Sequence, residues 1–258
     1  MFTRSMVVAL GLGALTFGCS SSPAPGSDDT QEIIDNLVQA GFPDSEIQVS
    51  DGKVFVGNDA EVSLAASREM LDSGGPGEEQ YRTTNLVSRT LTPICINGSA
   101  FTGSFSTALD GAIANYNAQQ LTFSMRRTTG STTGCGATIT MRISGPTGGS
   151  SGFPSGGRPF GTVNVGAGLS SFAVSTIRHV IMHELGHTIG FRHSDFFNHA
   201  ISCGGTASNE GTAGVGATLI SGTPSGATVG GSIMNACFRT TEAGAFTSTD
   251  VTAIQALY

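Results

Sequence analysis

The sequence predicts an α+β fold in which one sizeable domain follows a small N-terminal unit. The chain has 258 residues, more than the roughly 150 of an average domain, so one domain with accessory segments or two small domains would fit. Strand-like and helix-like hydrophobic patterns occur in residues 30–72 and again along residues 91–258. Between them, residues 72–79 are a Gly/Pro/Glu stretch typical of a linker, and Arg82 and Arg89 after it mark a natural proteolytic boundary.

The first residues have the pattern of a signal peptide. Arg4 is followed by an apolar run over residues 6–17, which is too short to span a bilayer, and then by small residues around Cys19. We therefore expect residues 1–19 to be a signal and the protein to be extracellular or on the cell surface. Cys19 stands where a lipid would be attached, so a lipid-anchored form at the outer membrane and an ordinary cleaved signal both stay open.

The net charge of −7 is unevenly distributed. Residues 20–90 hold 13 acidic and 4 basic side chains, whereas residues 91–258 hold 6 acidic and 7 basic ones. Neither part is basic enough to predict binding to nucleic acid. We expect residues 20–90 to be a tether followed by an acidic, propeptide-like segment, and residues 91–258 to be the functional domain.

Each predicted element follows from hydrophobic periodicity and turn residues. In the N-terminal part these are a helix over 33–38 that ends at Gly41 and Pro43, a hairpin over 47–56 with an Asp51-Gly52 turn, and a helix over 61–71. In residues 91–258 they are strands at 91–96, 121–126, 137–143 and 162–165, and helices at 104–119, 172–189 and 249–257. Residues 144–158 are predicted to be a turn-rich loop and 195–231 to be irregular. Ser248 or Thr249 is expected to cap the last helix.

A metal site is predicted in the long helix and the turn after it. His183 and His187 are four residues apart, so a helix presents both imidazoles on one face. Gly190 is able to end the helix in a left-handed conformation and to bring His193 back as a third ligand. Three histidines with an open fourth position suit a catalytic zinc ion. Glu184 is not expected to bind the metal, but to act as general base on water.

The alternative is an ordinary helix with surface histidines. The chain has only five histidines, and three of them occupy these positions with Glu and Gly where the chemistry needs them, which disfavours that alternative. His179, one turn before His183, is expected to lie outside the ligand set. His199 has no partner apparent in the sequence and is interpreted as a loop residue.

The histidine segment and a second segment downstream resemble the metzincin clan of zinc peptidases. His183 to His193 reads H-E-L-G-H-T-I-G-F-R-H, and Ser232-Ile233-Met234-Asn235 resembles the Met-turn of that clan. With S-G-F-P-S-G-G at 151–157, they resemble more narrowly the bacterial dual-action HEIGH metallopeptidases over most of residues 30–258, although Leu185 replaces the Ile of the family motif. The resemblance implies a secreted enzyme with a metzincin-like zincin fold: a twisted mixed β-sheet, an active-site helix, an irregular C-terminal subdomain with the Met-turn, and a C-terminal helix.

The resemblance also implies roles for residues around the histidines. Met234 is expected to lie beneath the metal as a hydrophobic floor. Some metzincins carry a metal-binding tyrosine shortly after this methionine; here the nearby aromatic residue is Phe238, so that ligand is absent. Asp195 is expected either to brace the loop or the Met-turn, or to be a solvated loop acid. Residues 161–165 resemble the edge strand on which an extended substrate is laid.

Four cysteines follow Cys19, an even number that favours two disulfides in an exported protein. They permit three pairings. We favour Cys95 with Cys135 and Cys203 with Cys237, because the second pair would close the Gly-rich loop between the two active-site segments. A zinc–cysteine site is disfavoured because no C-x-x-C spacing occurs.

The predicted function is that of a secreted, monomeric zinc endopeptidase that cleaves extended polypeptides with one catalytic zinc ion; the sequence leaves calcium binding undecided. We expect a zymogen covered by its own N-terminal segment. No cysteine lies in residues 20–94 to act as a latch, so an aspartate such as Asp51 or Asp59 is a candidate for blocking the metal; the alternative is that either is simply a turn residue. The alternatives are a surface lipoprotein that binds a partner on a zincin scaffold, and a zinc hydrolase for non-peptide amides. Membrane contact is expected only through a lipid on Cys19.

Overall fold

The computed structural model describes residues 27–71, 80–211, 217–224 and 226–258. The predicted signal peptide with Cys19, the first residues of the tether and the 72–79 linker lie outside these described residues. Among the helices that are described, none has the length and the apolar character needed to cross a membrane.

Helices and strands are mixed along the described residues. The helices are α1 (Ser27–Gln39), α2 (Leu64–Leu71), α3 (Gly103–Asn117), α4 (Val174–Thr188), α5 (Ala200–Cys203) and α6 (Ser248–Leu257). The strands are β1 (Ile47–Ser50), β2 (Lys53–Val56), β3 (Ala60–Val62), β4 (Tyr81–Arg82), β5 (Ile94–Asn97), β6 (Met125–Thr128), β7 (Ala137–Ile143), β8 (Gly149–Gly152), β9 (Thr162–Val165) and β10 (Thr218–Leu219). The predicted α+β class is confirmed.

One mixed sheet organises the fold, with eight strands in the order β1-β2-β3-β8-β9-β7-β5-β6. β9, β7, β5 and β6 are parallel, β8 is antiparallel to β9, and β3 is parallel to β8. The first three strands belong to residues 27–71, which we call the N-terminal unit. This unit therefore extends the sheet of the following domain at the outer edge of β8.

The structure corrects several sequence-based predictions. Gly149–Gly152 forms β8 inside the predicted 144–158 loop; its Gly-Ser-Ser-Gly sequence has no apolar alternation to reveal it. The prediction of an edge strand at 161–165 is wrong, because β9 is paired on both sides. The second helix begins at Leu64 rather than at residue 61, because Ala60–Val62 form β3 between β2 and β8.

Two large hydrophobic clusters form most of the interior of the described residues, and a third, small cluster joins Tyr81, Phe196 and Ala217. The larger cluster packs the parallel strands against α3, α4 and α6, and its fully buried members include Ile96, Leu109, Ile139, Ile177 and Leu185. The smaller cluster belongs to the N-terminal unit, with Leu37, Val56 and Met70, and takes in Phe153 from the following domain. Because nearly all of the smaller cluster comes from its own residues, the N-terminal unit has a separate core.

Helix α4 runs through the middle of the larger cluster. Of its 15 residues, 12 are buried, because it packs on α3 as well as on β8 and β9. A helix buried on nearly every side holds its side chains in fixed rotamers. The predicted histidines on this helix therefore stand on a rigid support.

Both favoured disulfides are confirmed. Cys95 is bonded to Cys135, and Cys203 is bonded to Cys237. The second bond joins α5 to the segment that follows Met234. It therefore ties the irregular region to the predicted Met-turn.

Helix α6 anchors the same region through its first turn. Its N-cap is Thr247, one residue before the predicted caps, and Thr247 forms a capping box with Asp250. The buried Asp250 carboxylate also accepts hydrogen bonds from Ser232 Oγ and, at 3.0 Å, from Ile233 N. The last helix thereby fixes the backbone just before Met234.

Candidate metal centre

The structure brings three imidazoles together at the end of α4. The Nε2 atoms of His183, His187 and His193 lie 3.1, 3.2 and 3.3 Å apart. A tetrahedral zinc ion with Zn–N bonds of about 2.0–2.1 Å would separate its nitrogen ligands by roughly 3.3–3.4 Å. All three side chains are buried, so the spacing fits a zinc site held inside the protein.

Each imidazole is fixed by an acceptor on its other nitrogen. The three contacts are His183 Nδ1 to Ile233 O (2.9 Å), His187 Nδ1 to Phe191 O (2.8 Å) and His193 Nδ1 to the Glu210 carboxylate. An oxygen acceptor keeps the proton on Nδ1 and leaves the Nε2 lone pair free. Burial also lowers the pKa of His187 to about 3. Three lone pairs that face one another call for a cation between them.

Gly190 makes the turn that brings the third imidazole back. Its φ of 110° lies in the left-handed region that favours glycine. Phe191 N donates to Gly186 O at 3.0 Å and Gly190 N donates to His187 O at 2.9 Å, the bond pattern of a Schellman helix end. The chain therefore leaves α4 sharply and returns His193 to the helix face.

Asp59 covers the remaining side of the three imidazoles. Its Oδ2 lies 3.2 Å from His193 Nε2 and 3.4 Å from His183 Nε2, and its Oδ1 lies 3.6 Å from His187 Nε2. Burial opposes ionisation of this carboxyl, but the neighbouring histidines hold its pKa below the usual range. The other candidate, Asp51, is exposed in the turn between β1 and β2. Asp59 thus completes a set of four potential metal ligands.

Glu184 lies beside the imidazoles and is also buried. Ser151 Oγ, on β8, donates a hydrogen bond to Glu184 Oε2 at 2.8 Å and so orients the carboxyl. Glu184, His183 and Asp59 line one cavity of about 180 Å³. Burial raises the pKa of Glu184 well above its usual range, and the nearby Asp59 raises it further. In this closed arrangement the ionised form of Glu184 is therefore less favoured than it is for a solvated glutamate.

Met234 packs directly against the metal-site helix. A Cβ built on Gly186 would lie 2.5 Å from Met234 Sδ, so only glycine at that helix position leaves room for the sulfur. Ser194 N donates to Met234 O at 2.8 Å, which joins the methionine backbone to the residue after His193. Phe238 lines the cavity beside Glu184, where no tyrosine is present among the described lining residues.

Asp195 braces the segment after Met234. Its side chain is fully buried, and its carboxylate accepts hydrogen bonds from Ala236 N at 2.9 Å and from Ser202 N at 3.2 Å. A solvated loop acid would be exposed, so that alternative does not hold. Asp195 connects the chain after the third histidine with α5 and with the Met-turn.

His199 lies in a turn just before α5, as predicted for a loop residue, but it does have a partner. Its side chain is buried, and its Nε2 lies 2.6 Å from Glu210 Oε1. The same glutamate contacts His193, and Arg192 Nη2 lies 2.6 Å from Glu210 Oε2. The sequence offers one signal for this cluster, since Glu210 is the only acidic residue between 196 and 231.

Two further side chains near the site are Ser151, which lies in a sequence motif, and His179, which lies on α4. Ser151 lies in the S-G-F-P-S-G-G segment, but its hydrogen bond to Glu184 depends on β8, which the sequence does not reveal. His179 is not among the converging nitrogens; its Nδ1 lies 2.9 Å from Glu242 Oε2, and its side chain lines the cavity beside Glu184.

Comparison with known families decides the assignment. The family model described as dual-action HEIGH metallo-peptidase matches residues 54–258. The chain belongs to this family. The match begins in β2, so the family region of this metallopeptidase includes Asp59 as well as the three histidines and Met234. The resemblance drawn from the histidine and Met-turn motifs is confirmed, and the protein is an enzyme that acts on polypeptides.

The solved structures that match this chain are distant from it in sequence. High choriolytic enzyme 1, a hatching-enzyme zinc protease of the medaka fish Oryzias latipes, is 18% identical, with 67% of this chain and 92% of that chain covered and a TM-score of 0.41. Myroilysin is 15% identical, with 66% and 93% covered and a TM-score of 0.42. A search of curated protein sequences finds no match.

Gly190→Ala should disrupt the turn and weaken the metal centre. A Cβ there would lie 2.7 Å from Asn85 O, and the left-handed backbone adds about 1–2 kcal/mol of strain, so we expect a loss of about 2 kcal/mol or more in unfolding free energy. Gly161→Ala is the control, because a Cβ at Gly161 meets no atom within 4 Å. Chemical denaturation and metal content measure both effects. Equal stability of the two variants would contradict the role of the turn.

Proposed function

We propose that this metallopeptidase is a secreted zinc endopeptidase made in a latent form, with Asp59 closing the metal centre. The observation that carries the proposal is the convergence of three histidine Nε2 atoms with one carboxylate from the N-terminal unit. Export is supported by the signal-like pattern of residues 1–19 and by the two disulfides, which are rare in the cytosol.

The residues around the centre fit zinc and a hydrolytic reaction. His183, His187 and His193 would hold the ion through Nε2, the set of three protein ligands typical of catalytic zinc. Zinc bound there would polarise a peptide carbonyl and lower the pKa of bound water to about 7. The buried Asp59 Oδ1 has no hydrogen-bond partner among the described residues, which is consistent with a cation as its natural neighbour.

Glu184 is the proposed general base. Its Oε2 is held by Ser151, and its cavity also contains His183. It would accept a proton from the attacking water and pass it to the leaving amine. Burial raises the pKa of Glu184 most and Asp59 raises it further in the closed form, so removal of the Asp59 charge should lower this pKa and make the ionised base easier to form.

Strand β3 and Asp59 just before it support latency, because together they cover the edge of β8 and the three imidazoles. Ser151 N of β8 donates to Asp59 O at 3.0 Å, and Phe153 N donates to Glu61 O at 3.3 Å. These donors are the backbone groups with which an extended peptide would pair by strand addition. The same short segment thus occupies the edge of β8 with its backbone and the imidazoles with its carboxylate.

We place the processing site before Gln80 rather than near residue 90. Strand β4, which contains Arg82, pairs with β10, and Tyr81 O accepts a hydrogen bond from Arg192 N at 2.8 Å. The Arg89 guanidinium donates to Leu257 O at 2.9 Å. Residues 80–90 are therefore integral to the catalytic domain, and their removal would strip contacts beside the third histidine.

Glu184→Gln should abolish proteolysis without loss of the metal. In the processed enzyme we expect a fall of at least about 100-fold in kcat/KM on casein-derived peptides, because the base is removed, with zinc content unchanged because Glu184 is not a ligand. A rate within tenfold of wild type at equal zinc content would overturn the role of Glu184. If wild-type protein binds zinc but cleaves nothing, the binding-module alternative is favoured instead.

Asp59→Asn should activate the uncleaved precursor. Loss of one charged contact worth about 1.5–3 kcal/mol corresponds to roughly a 10- to 100-fold rise in the population of the open form. Asp51→Asn is the matched control, because Asp51 is an exposed aspartate of the same unit. Peptide cleavage is measured while gel electrophoresis shows the precursor intact. An Asp59→Asn precursor as inactive as wild type would contradict the latch.

The mature N-terminus should lie at or before Gln80. Intact-mass measurement of the exported protein tests this, since processing downstream would remove β4 and its pairing with β10. Arg82→Ala and Arg89→Ala serve as controls and should mature at the same position as wild type. A mature chain that begins after Arg82 or Arg89 would show that the boundary predicted from the sequence is the right one.

A further inference from the structure

We propose that Glu210 is a positioning residue of the metal centre, whose carboxylate holds His193 and thereby sets how tightly the centre retains zinc. The inference rests on the proposed zinc site. It concerns a residue outside both metal-site motifs, on the far side of the third imidazole from the metal position.

The contacts of Glu210 are concentrated on this one imidazole and its neighbours. Oε1 contacts His193 Nδ1 and lies 2.6 Å from His199 Nε2, and Oε2 lies 2.6 Å from Arg192 Nη2. The glutamate itself is only 2% exposed. A carboxylate buried to this degree is retained only where its partners satisfy it, and here one of those partners is a metal ligand.

The ring of His193 is held by a side-chain acceptor, whereas the rings of the other two histidines are held by backbone carbonyls. His183 and His187 are on α4, and their Nδ1 atoms face the backbone carbonyls of Ile233 and Phe191. His193 lies beyond the helix end, and its Nδ1 faces the Glu210 carboxylate. A carboxylate on Nδ1 fixes both the tautomer and the ring orientation, and makes Nε2 a stronger ligand than a neutral acceptor does.

Arg192 keeps this carboxylate charged. Its side chain is fully buried, and its guanidinium lies 4.7 Å from the Phe42 ring and 5.1 Å from the Phe196 ring. Its Nη2 lies 2.6 Å from Glu210 Oε2, so the guanidinium places a positive charge beside this buried carboxylate. The arginine therefore offsets a charge that the apolar surroundings would otherwise neutralise.

The positioning contact should persist after the N-terminal unit leaves. The N-terminal unit touches the cluster from outside, since Phe42 covers Arg192 and a Cβ on Gly57 would lie 2.6 Å from Glu210 Oε1. Glu210 and its three polar partners, however, all belong to residues 192–210. The processed enzyme therefore keeps the pairs and is the form in which to test them.

Zinc affinity of Glu210→Gln tests the proposal. Processed enzyme is stripped and titrated with zinc against a chelator of known affinity, and we expect Glu210→Gln to bind zinc about 10- to 100-fold more weakly than wild type. Glu242→Gln is the matched control, because Glu242 is also paired with a histidine, His179, that is not a ligand. This control should keep the wild-type affinity although it loses a comparable ion pair.

Further measurements separate positioning from general damage to the fold. Thermal unfolding of the zinc-free proteins measures stability without the metal. If Glu210 has a positioning role, Glu210→Gln should lose more zinc affinity than Glu242→Gln does. If Glu210→Gln does not fold, Glu210→Asp shortens the reach to His193 and should show the same direction of change. Wild-type affinity in the folded Glu210 variants overturns the proposal. Absence of zinc binding by wild type would instead overturn the proposed function.

Discussion

Three imidazole nitrogens lie 3.1 to 3.3 Å apart in a buried space, and their lone pairs repel one another unless a cation lies between them. Holding such an arrangement requires rigid supports on every side. Two imidazoles gain theirs from α4, which is buried along nearly all of its length. The third gains its support from the Gly190 turn and from Glu210. Met234 and the capping carboxylate of Asp250 fix the chain on the opposite side. Most of the irregular C-terminal region can be understood as the means of holding these three rings.

The N-terminal unit places a carboxylate next to the same three imidazoles. Its Asp59 and the Glu210 carboxylate both contact His193, on opposite nitrogens of the ring. Placing a carboxylate here is costly without positive charge nearby, because both partners leave water. The unit therefore needs other interactions to remain in place, and it has them in the β3–β8 pairing and in the packing of Phe42 on Arg192. Its separate hydrophobic core allows it to dock as a preformed body.

The sequence predicts the parts of this site that depend on local spacing. The four-residue interval between His183 and His187 and the glycine at 190 each constrain a short stretch of chain. The cysteine pairs follow from the even number of cysteines and from the expected export of the protein. Strand β8 is not predicted from the sequence, because Gly149–Gly152 shows no hydrophobic periodicity. These residues form a strand because they pair with β3 and β9. For the same reason, the sequence does not decide whether Asp51 or Asp59 lies near the imidazoles, and it does not reveal the partners of Glu210. They depend on how segments far apart in the chain are folded together, which no single stretch of sequence encodes.

In the proposed latent form, strand β8 would link latency with catalytic geometry. Its outer edge pairs with β3, while its Ser151 hydroxyl holds Glu184 from the inner side. Loss of β3 would free the backbone donors of β8 for a substrate. The strand would still be fixed by its antiparallel pairing with β9 and by the hydrogen bond from Asn164 Nδ2 to Ser150 Oγ at 3.1 Å. The general base would therefore keep its orientation while its pKa falls with the departure of Asp59. On this proposal, activation would need no rearrangement of the catalytic domain, because removal of β3 with the preceding Asp59 would expose the three imidazoles, Glu184 and the substrate edge of β8 together.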